Sequence, residues 1–283
     1  MAWFKKKKKF GIAFGGGGAR GLAEIGAWKA LEEGGIPLAN MVAGTSVGSL
    51  IGACYALGYK SDEVLEYTNS ISLEDFTNYR HPDGDLGEFI KSIVANREKI
   101  FSFARDSEII ENLAKGLWGD KTFDDVLLPF FAIAVDLKKG KEVILERGEL
   151  AKACRASSSI PGVFTPTLQD DMILCDGYLL NNLPADHLKD RGMDVVLGMN
   201  ITGNPYDGCN SAKFFDVLFS SIELMSVHGK IKNLVYCDVL VEPDLSAYSS
   251  YSMGKDAFSA MYQAGYQAMK EKLPQLRAAL ELN

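Results

Sequence analysis

The 283-residue chain has little histidine and cysteine and lacks long apolar runs. Its three histidines, His81, His187 and His228, are scattered, and none of the five cysteines (Cys54, Cys154, Cys175, Cys209, Cys237) forms a C-x-x-C pair. Zinc sites and disulfide scaffolds are therefore poor readings, and a reducing, cytoplasmic setting is the default expectation. No stretch approaches the roughly 18 uninterrupted apolar residues that a membrane-spanning helix requires. Phe10–Phe14 follows a run of cations, as the apolar region of a signal peptide would, but it is too short and runs into four glycines. Neither a cleavable leader nor a spanning segment is expected. An excess of positive charge is missing too. Thirty basic against 37 acidic residues give −7, which argues against a nucleic-acid binder. Five of the positives are consecutive, Lys5 to Lys9, so setting them aside leaves −12 for the rest of the chain. With Trp3 and Phe4 the run has the composition of a weak, peripheral contact with an anionic membrane. It reads equally as a solvated start to the first strand.

What is present is an ordinary globular composition, 47% hydrophobic and 24% charged, with apolar runs that alternate between strand and helix lengths. Residues 9–14 read as a buried strand, 19–33 as a helix, 40–43 as a second strand and 46–57 as a buried helix, after which Ser61 caps another. Residues 69–120 are less regular, with Phe89, Ile90, Ile93, Val94, Ile100 and Phe101 at helical spacing. They could form an amphipathic lid or ordinary core packing. Strands at 130–136 and 142–146 read as a hairpin through Lys138-Lys139-Gly140. Further strands are expected at 172–175, 195–200 and 235–241, and a helix at 258–282 that breaks near Pro274. The fold class that follows is α/β: one three-layer α/β/α domain with a mostly parallel central sheet. It has a main region at 10–200, and the strand and helices of 201–283 belong to the same unit.

The sharpest local signal is Gly44-Thr45-Ser46-Val47-Gly48, a G-x-S-x-G sequence between a strand and a helix. Two glycines there permit a turn tight enough to hold Ser46 Oγ clear of the sheet, at a helix N-terminus whose amides favour an oxyanion. The bland alternative is an inert serine in a tight turn. A second signal, Gly15-Gly16-Gly17-Gly18-Ala19-Arg20-Gly21, also joins a strand to a helix. Gly16, Gly18 and Gly21 satisfy G-x-G-x-x-G, the mark of a dinucleotide loop. That reading needs an acid closing the next strand, and Ala43-Gly44-Thr45-Ser46 offers none. The same amides, Gly17 and Gly18 first, suit an oxyanion hole instead. A serine nucleophile also needs a base. The order Ser46, Asp176, then His187 or His228 formally permits a triad, but one preceding strand is too few for the hydrolase fold that uses it.

Beyond these two motifs, the chain carries Arg155-Ala156-Ser157-Ser158-Ser159-Ile160-Pro161-Gly162-Val163-Phe164, then Asp176-Gly177, with Asn182-Leu183-Pro184 close behind. In motif content and order, residues 10–200 resemble the patatin-like phospholipase family. The resemblance implies a Ser46–Asp176 dyad without histidine and an oxyanion hole at Gly17 and Gly18, with Arg20 contributing from the same loop. It implies phospholipid or other acyl-ester lipids as substrate, and neither metal nor organic cofactor. Two residues depart from the family pattern: Tyr178 follows Asp176-Gly177 where a small residue is usual, and Glu24 stands where many bacterial members carry histidine. The residues themselves support such a dyad. Asp176 ends an apolar strand, so it is expected at the carboxyl edge of the sheet beside Ser46, where burial would raise its proton affinity. Ser157–Ser159 read as a helix-end cap near the site, Asp136 as hairpin packing, and the cysteines as core filling. A carboxylesterase or thioesterase, and a non-catalytic lipid- or nucleotide-binding regulator, remain the alternatives.

Overall fold

Phe10–Phe14, buried at every position, forms the central strand β1. It pairs in parallel with β2 (Met41–Thr45) on one side and β7 (Val195–Met199) on the other. β2 continues the parallel array to β3 (Phe130–Asp136), and β7 continues it to β8 (Val239–Val241). Three further strands run against their neighbours. They are β4 (Lys141–Leu145) on β3, β6 (Met172–Asp176) also on β3, and β5 (Thr167–Gln169) on β6. The computed structural model describes residues 7–71, 107–202, 217, 220, 221, 224, 225, 232–250, 252 and 254–282. The apolar spacing at Phe89–Phe101, His81, His228, Cys209, Trp3, Phe4, Lys5 and Lys6 lie outside them.

Side chains alternate across each strand, so β1 feeds two cores. Phe10, Ile12 and Phe14, with Val42 and Phe130, pack under α1 (Gly21–Glu33), α2 (Val47–Leu57), α5 (Leu150–Ser157) and α7 (Lys255–Ala279). Ala13, Ala43, Phe131, Ile133 and Val196 face the opposite layer, where α6 (Ala185–Asp190) contributes Ala185 and Leu188. Helices α3 (Ser61–Ser70) and α4 (Glu108–Trp118) flank the first layer. The three-layer α/β/α expectation holds, and no helix among the described residues is long and apolar enough to cross a membrane.

Ser61 is the first residue of α3 rather than its cap, which is Lys60, and its hydroxyl donates to Glu32 Oε2 (2.6 Å). Two larger expectations need correction. The C-terminal helix does not break at Pro274: α7 runs through it from Lys255 to Ala279. Pro274 lies on the exposed side, as does Lys270 four residues earlier, whose carbonyl the proline leaves without its helical donor. Buried Leu276 and Leu280 hold the turn beyond. The second correction concerns Asp176. Its strand is antiparallel to β3, so it does not reach the carboxyl edge of the sheet by running alongside β2. Pro129 O accepts from Val42 N (2.9 Å), and Leu137 N donates to Ile173 O (2.9 Å). Strand carbonyls and amides alternate between edges, so these two odd positions put β2 and β6 on the same edge of β3, and β4 takes the other. Thr45 is level with Ile133 and Asp176 with Ala134, so the ends of β2 and β6 meet head to head.

Candidate active site

Ser46 is the residue between β2 and α2, with φ 54° and ψ −128°, a left-handed backbone that non-glycine residues rarely adopt. The flanking glycines make room for it. A Cβ on Gly44 would lie 2.2 Å from Gly48 O, and one on Gly48 would lie 2.5 Å from Phe14 O. The bend is also pinned from outside. Ser46 N donates to Ser157 Oγ (2.9 Å), which donates onward to Ile133 O (2.6 Å), and Ser49 Oγ donates to Ser46 O (2.6 Å). Ser157 thus serves the neighbouring turn rather than its own helix end.

The Ser46 hydroxyl donates to Asp176 Oδ2 at 2.7 Å. The other carboxylate oxygen, Oδ1, accepts from Tyr178 N at 2.8 Å, and Asp176 N is held by Ser159 O. Only 2% of Asp176 is exposed. Burial pushes its carboxyl up to about 7, against the lowering influence of the bonds from Tyr178 N and Ser46 Oγ. Tyr178 reaches Asp176 through its backbone amide, a contact that any non-proline residue makes, so its bulk does not interrupt the geometry.

The glycine loop lies alongside. Gly16 N and Gly16 O are both bonded to Asn182, through Oδ1 (3.0 Å) and Nδ2 (3.1 Å). A Cβ on Gly16 would fall 2.5 Å from Asn182 Oδ1 and 3.0 Å from Ser46 Cβ, so only glycine lets the loop approach the serine this closely. Gly15 N donates to Glu24 Oε1 (2.7 Å) and to Met199 O (3.2 Å). Ala19 N donates to Ser250 O (2.9 Å), Arg20 N to Gly17 O (3.2 Å) and Arg20 Nε to Tyr248 O (2.9 Å). Among the described residues, the amides of Gly17 and Gly18 have no acceptor. Two unengaged amides on a loop that closes on Ser46 through Gly16 are donors of the kind an oxyanion takes.

The remaining candidates lie elsewhere. His187 sits on α6 in the opposite layer, with Nε2 paired to Glu142 Oε1 and its ring edge-on to Phe131 at 6.1 Å. Asp136 Oδ1 accepts from Lys138 N (3.0 Å) and Ile173 N (3.4 Å), which is hairpin packing. Cys54, Cys154 and Cys175 are buried, and burial raises each thiol's pKa, as core filling requires. Lys7–Lys9 precede β1, at the amino edge of the sheet opposite the glycine loop. Lys8 Nζ is bonded there to Ala279 O (3.0 Å). Sequence reasoning missed Asn182 as the clamp on Gly16, although Asn182-Leu183-Pro184 marked the segment. It also missed the carbonyls of Tyr248 and Ser250, which no side-chain pattern signals.

The patatin-like phospholipase family model matches residues 12–189, which include Gly15–Gly21, Ser46, Asp176 and Asn182. The chain belongs to this family. The patatin-like chain is 27% identical over 294 residues to the lysophospholipase nte1 of Aspergillus fumigatus, covering 95% of itself and 18% of that protein. Over 230 residues it is 30% identical to a patatin-like phospholipase domain-containing protein of Caenorhabditis elegans, covering 79% of itself and 16% of the relative. It therefore spans less than a fifth of the length of these relatives. VipD from Legionella pneumophila shares the fold, with a TM-score of 0.57 at 14% identity, over 95% of this chain and 67% of that one.

Proposed function

We propose that the chain hydrolyses fatty acyl esters of phospholipids or lysophospholipids, with Ser46 as nucleophile and Asp176 as its base. The observation that carries this reading is the 2.7 Å bond from Ser46 Oγ to a carboxylate buried enough to hold or release a proton near neutral pH. Ionised Asp176 takes the hydroxyl proton as Oγ bonds to the ester carbonyl carbon. The carbonyl oxygen becomes an oxyanion, received by the Gly17 and Gly18 amides and by the first amides of α2. Arg20 serves this hole by holding the loop against Tyr248. When the intermediate collapses, the ester C–O bond breaks and Asp176 returns its proton to the departing alcohol. Water then adds to the acyl-serine, again giving its proton to Asp176. Cleavage of the acyl–Oγ bond releases the fatty acid and restores the hydroxyl.

The lysophospholipase name of the fungal relative supports a lysophospholipid as first substrate to try. Lys7–Lys9 are separated from the glycine loop by β1, about 17 Å at roughly 3.3 Å per residue. A contact there with anionic lipid would tether the chain rather than feed esters to Ser46. The test is incubation with lysophosphatidylcholine and with a mixed phospholipid extract, with wild type and Ser46→Ala in parallel, and mass spectrometry of the products. Free fatty acid released by wild type alone is the expected result. Equal release by both proteins, or by neither, overturns the reading.

A further inference from the structure

Glu24 is fully buried on α1, four residues after Arg20, and among the described residues its carboxyl makes one hydrogen bond, the 2.7 Å bond that Oε1 accepts from Gly15 N. Oε2 is buried without a partner. A carboxyl left half-satisfied in the interior costs stability, and an apolar side chain would fill the same space without that penalty. A local violation of this kind beside a reacting group points to function rather than packing. Gly15 is where the chain leaves the sheet. Its amide is shared between Met199 O, which would continue the ladder to β7, and the shorter bond to Glu24, which draws the chain over α1 into the glycine loop.

We propose that Glu24 is a positioning residue for ester hydrolysis, setting the path of the Gly15–Gly18 loop through the Gly15 amide so that the Gly17 and Gly18 amides face the carbonyl attacked by Ser46. This rests on the acyl-hydrolase reading above. Burial also pushes the Glu24 carboxyl well above the usual carboxylate range. Among the described residues the Gly15 bond is the one opposing influence, and no charged group of the loop, α1, α2, β7 or α7 acts on it. Arg20, the nearest cation along the chain, directs Nε to Tyr248 O. Ionisation at alkaline pH would place an unpaired charge under the loop and shift it.

The experiment compares wild type, Glu24→Gln and Glu24→Leu on a p-nitrophenyl ester, with kcat, KM, a pH profile and thermal unfolding for each. Glu24→Gln keeps an oxygen acceptor of the same reach, so its kcat should stay within about threefold of wild type and persist to higher pH. Glu24→Leu should lower kcat about tenfold or more with KM nearly unchanged, while unfolding occurs no earlier than in wild type. A folded leucine variant with unchanged kcat overturns the proposal. If that variant does not fold, the glutamine variant decides: an alkaline limb superimposable on wild type overturns it. Wild-type activity that survives Ser46→Ala removes the parent reading first, and the positioning role with it. Activity lost in Ser46→Ala but indifferent to Glu24 removes the positioning role alone.

Discussion

Ser46 and Asp176, 130 residues apart in sequence, are joined by a 2.7 Å hydrogen bond because β2 and β6 end against each other on one edge of β3. Neither strand pairs with the other. β3 alone sets their register, with Thr45 level with Ile133 and Asp176 level with Ala134. The contact is therefore a property of the sheet, and the strained backbone at Ser46 is held by partners on three separate segments.

The pH dependence follows from Asp176, whose carboxyl is raised to about 7 by burial. The proposed mechanism needs the ionised form, so kcat/KM should climb through about pH 7 and hold from there until the alkaline fall expected from Glu24. Folding stability runs the other way. A carboxyl raised in the folded state binds a proton that the unfolded chain releases near pH 3.9, so its contribution is complete below that value and is lost as pH rises through about 7. Asp176→Asn should then cut turnover by roughly 10³-fold or more while unfolding at a higher temperature than wild type at pH 8. Ester hydrolysis and calorimetry on the same two proteins check both halves.

His187 separates the dyad from a triad. Its pKa is raised, chiefly by the bond to Glu142 and against the effect of burial. The stability it lends is complete below about pH 6.5 and is lost as pH rises through the higher folded value. His187→Ala should leave kcat within about twofold of wild type and lower stability by about 1 kcal/mol or less, at acid pH only. Melting curves at pH 5.5 and 9 with parallel activity assays test this. A collapse of kcat would make the histidine part of the chemistry.

Ser157→Ala removes the acceptor of Ser46 N and the donor to Ile133 O, both buried. The expected cost is about 1–3 kcal/mol of stability. It should also lower kcat at least tenfold, because the left-handed conformation of Ser46 loses an external restraint. Denaturant unfolding and steady-state kinetics read the two effects. An unchanged kcat in a destabilised variant would confine Ser157 to structure.

Much of this was legible in the chain. G-x-S-x-G between apolar runs marked the turn at Ser46, because two glycines flanking a serine have few other uses there. The glycine loop was legible for the same reason. For Asp176, an apolar pentapeptide does not state whether it pairs parallel or antiparallel, and only the register to β3 brings the carboxylate to Ser46. Strand β5 has three residues and too little pattern to see, and α4 lay unrecognised in a stretch that read as irregular. Pro274 reads as a break because the sequence does not show which side of the helix faces water. The carbonyls of Tyr248 and Ser250 are backbone groups, invisible to side-chain reasoning. Glu24 did leave a trace, as a lone acid in the otherwise apolar Leu22-Ala23-Glu24-Ile25-Gly26-Ala27.

The most direct test of the central claim is covalent labelling with a fluorophosphonate, followed by peptide mass spectrometry. The account predicts a single adduct on the peptide containing Ser46, absent in Ser46→Ala and formed far more slowly in Asp176→Asn. An adduct on a different serine, or labelling of Ser46 at an undiminished rate in Asp176→Asn, would contradict it.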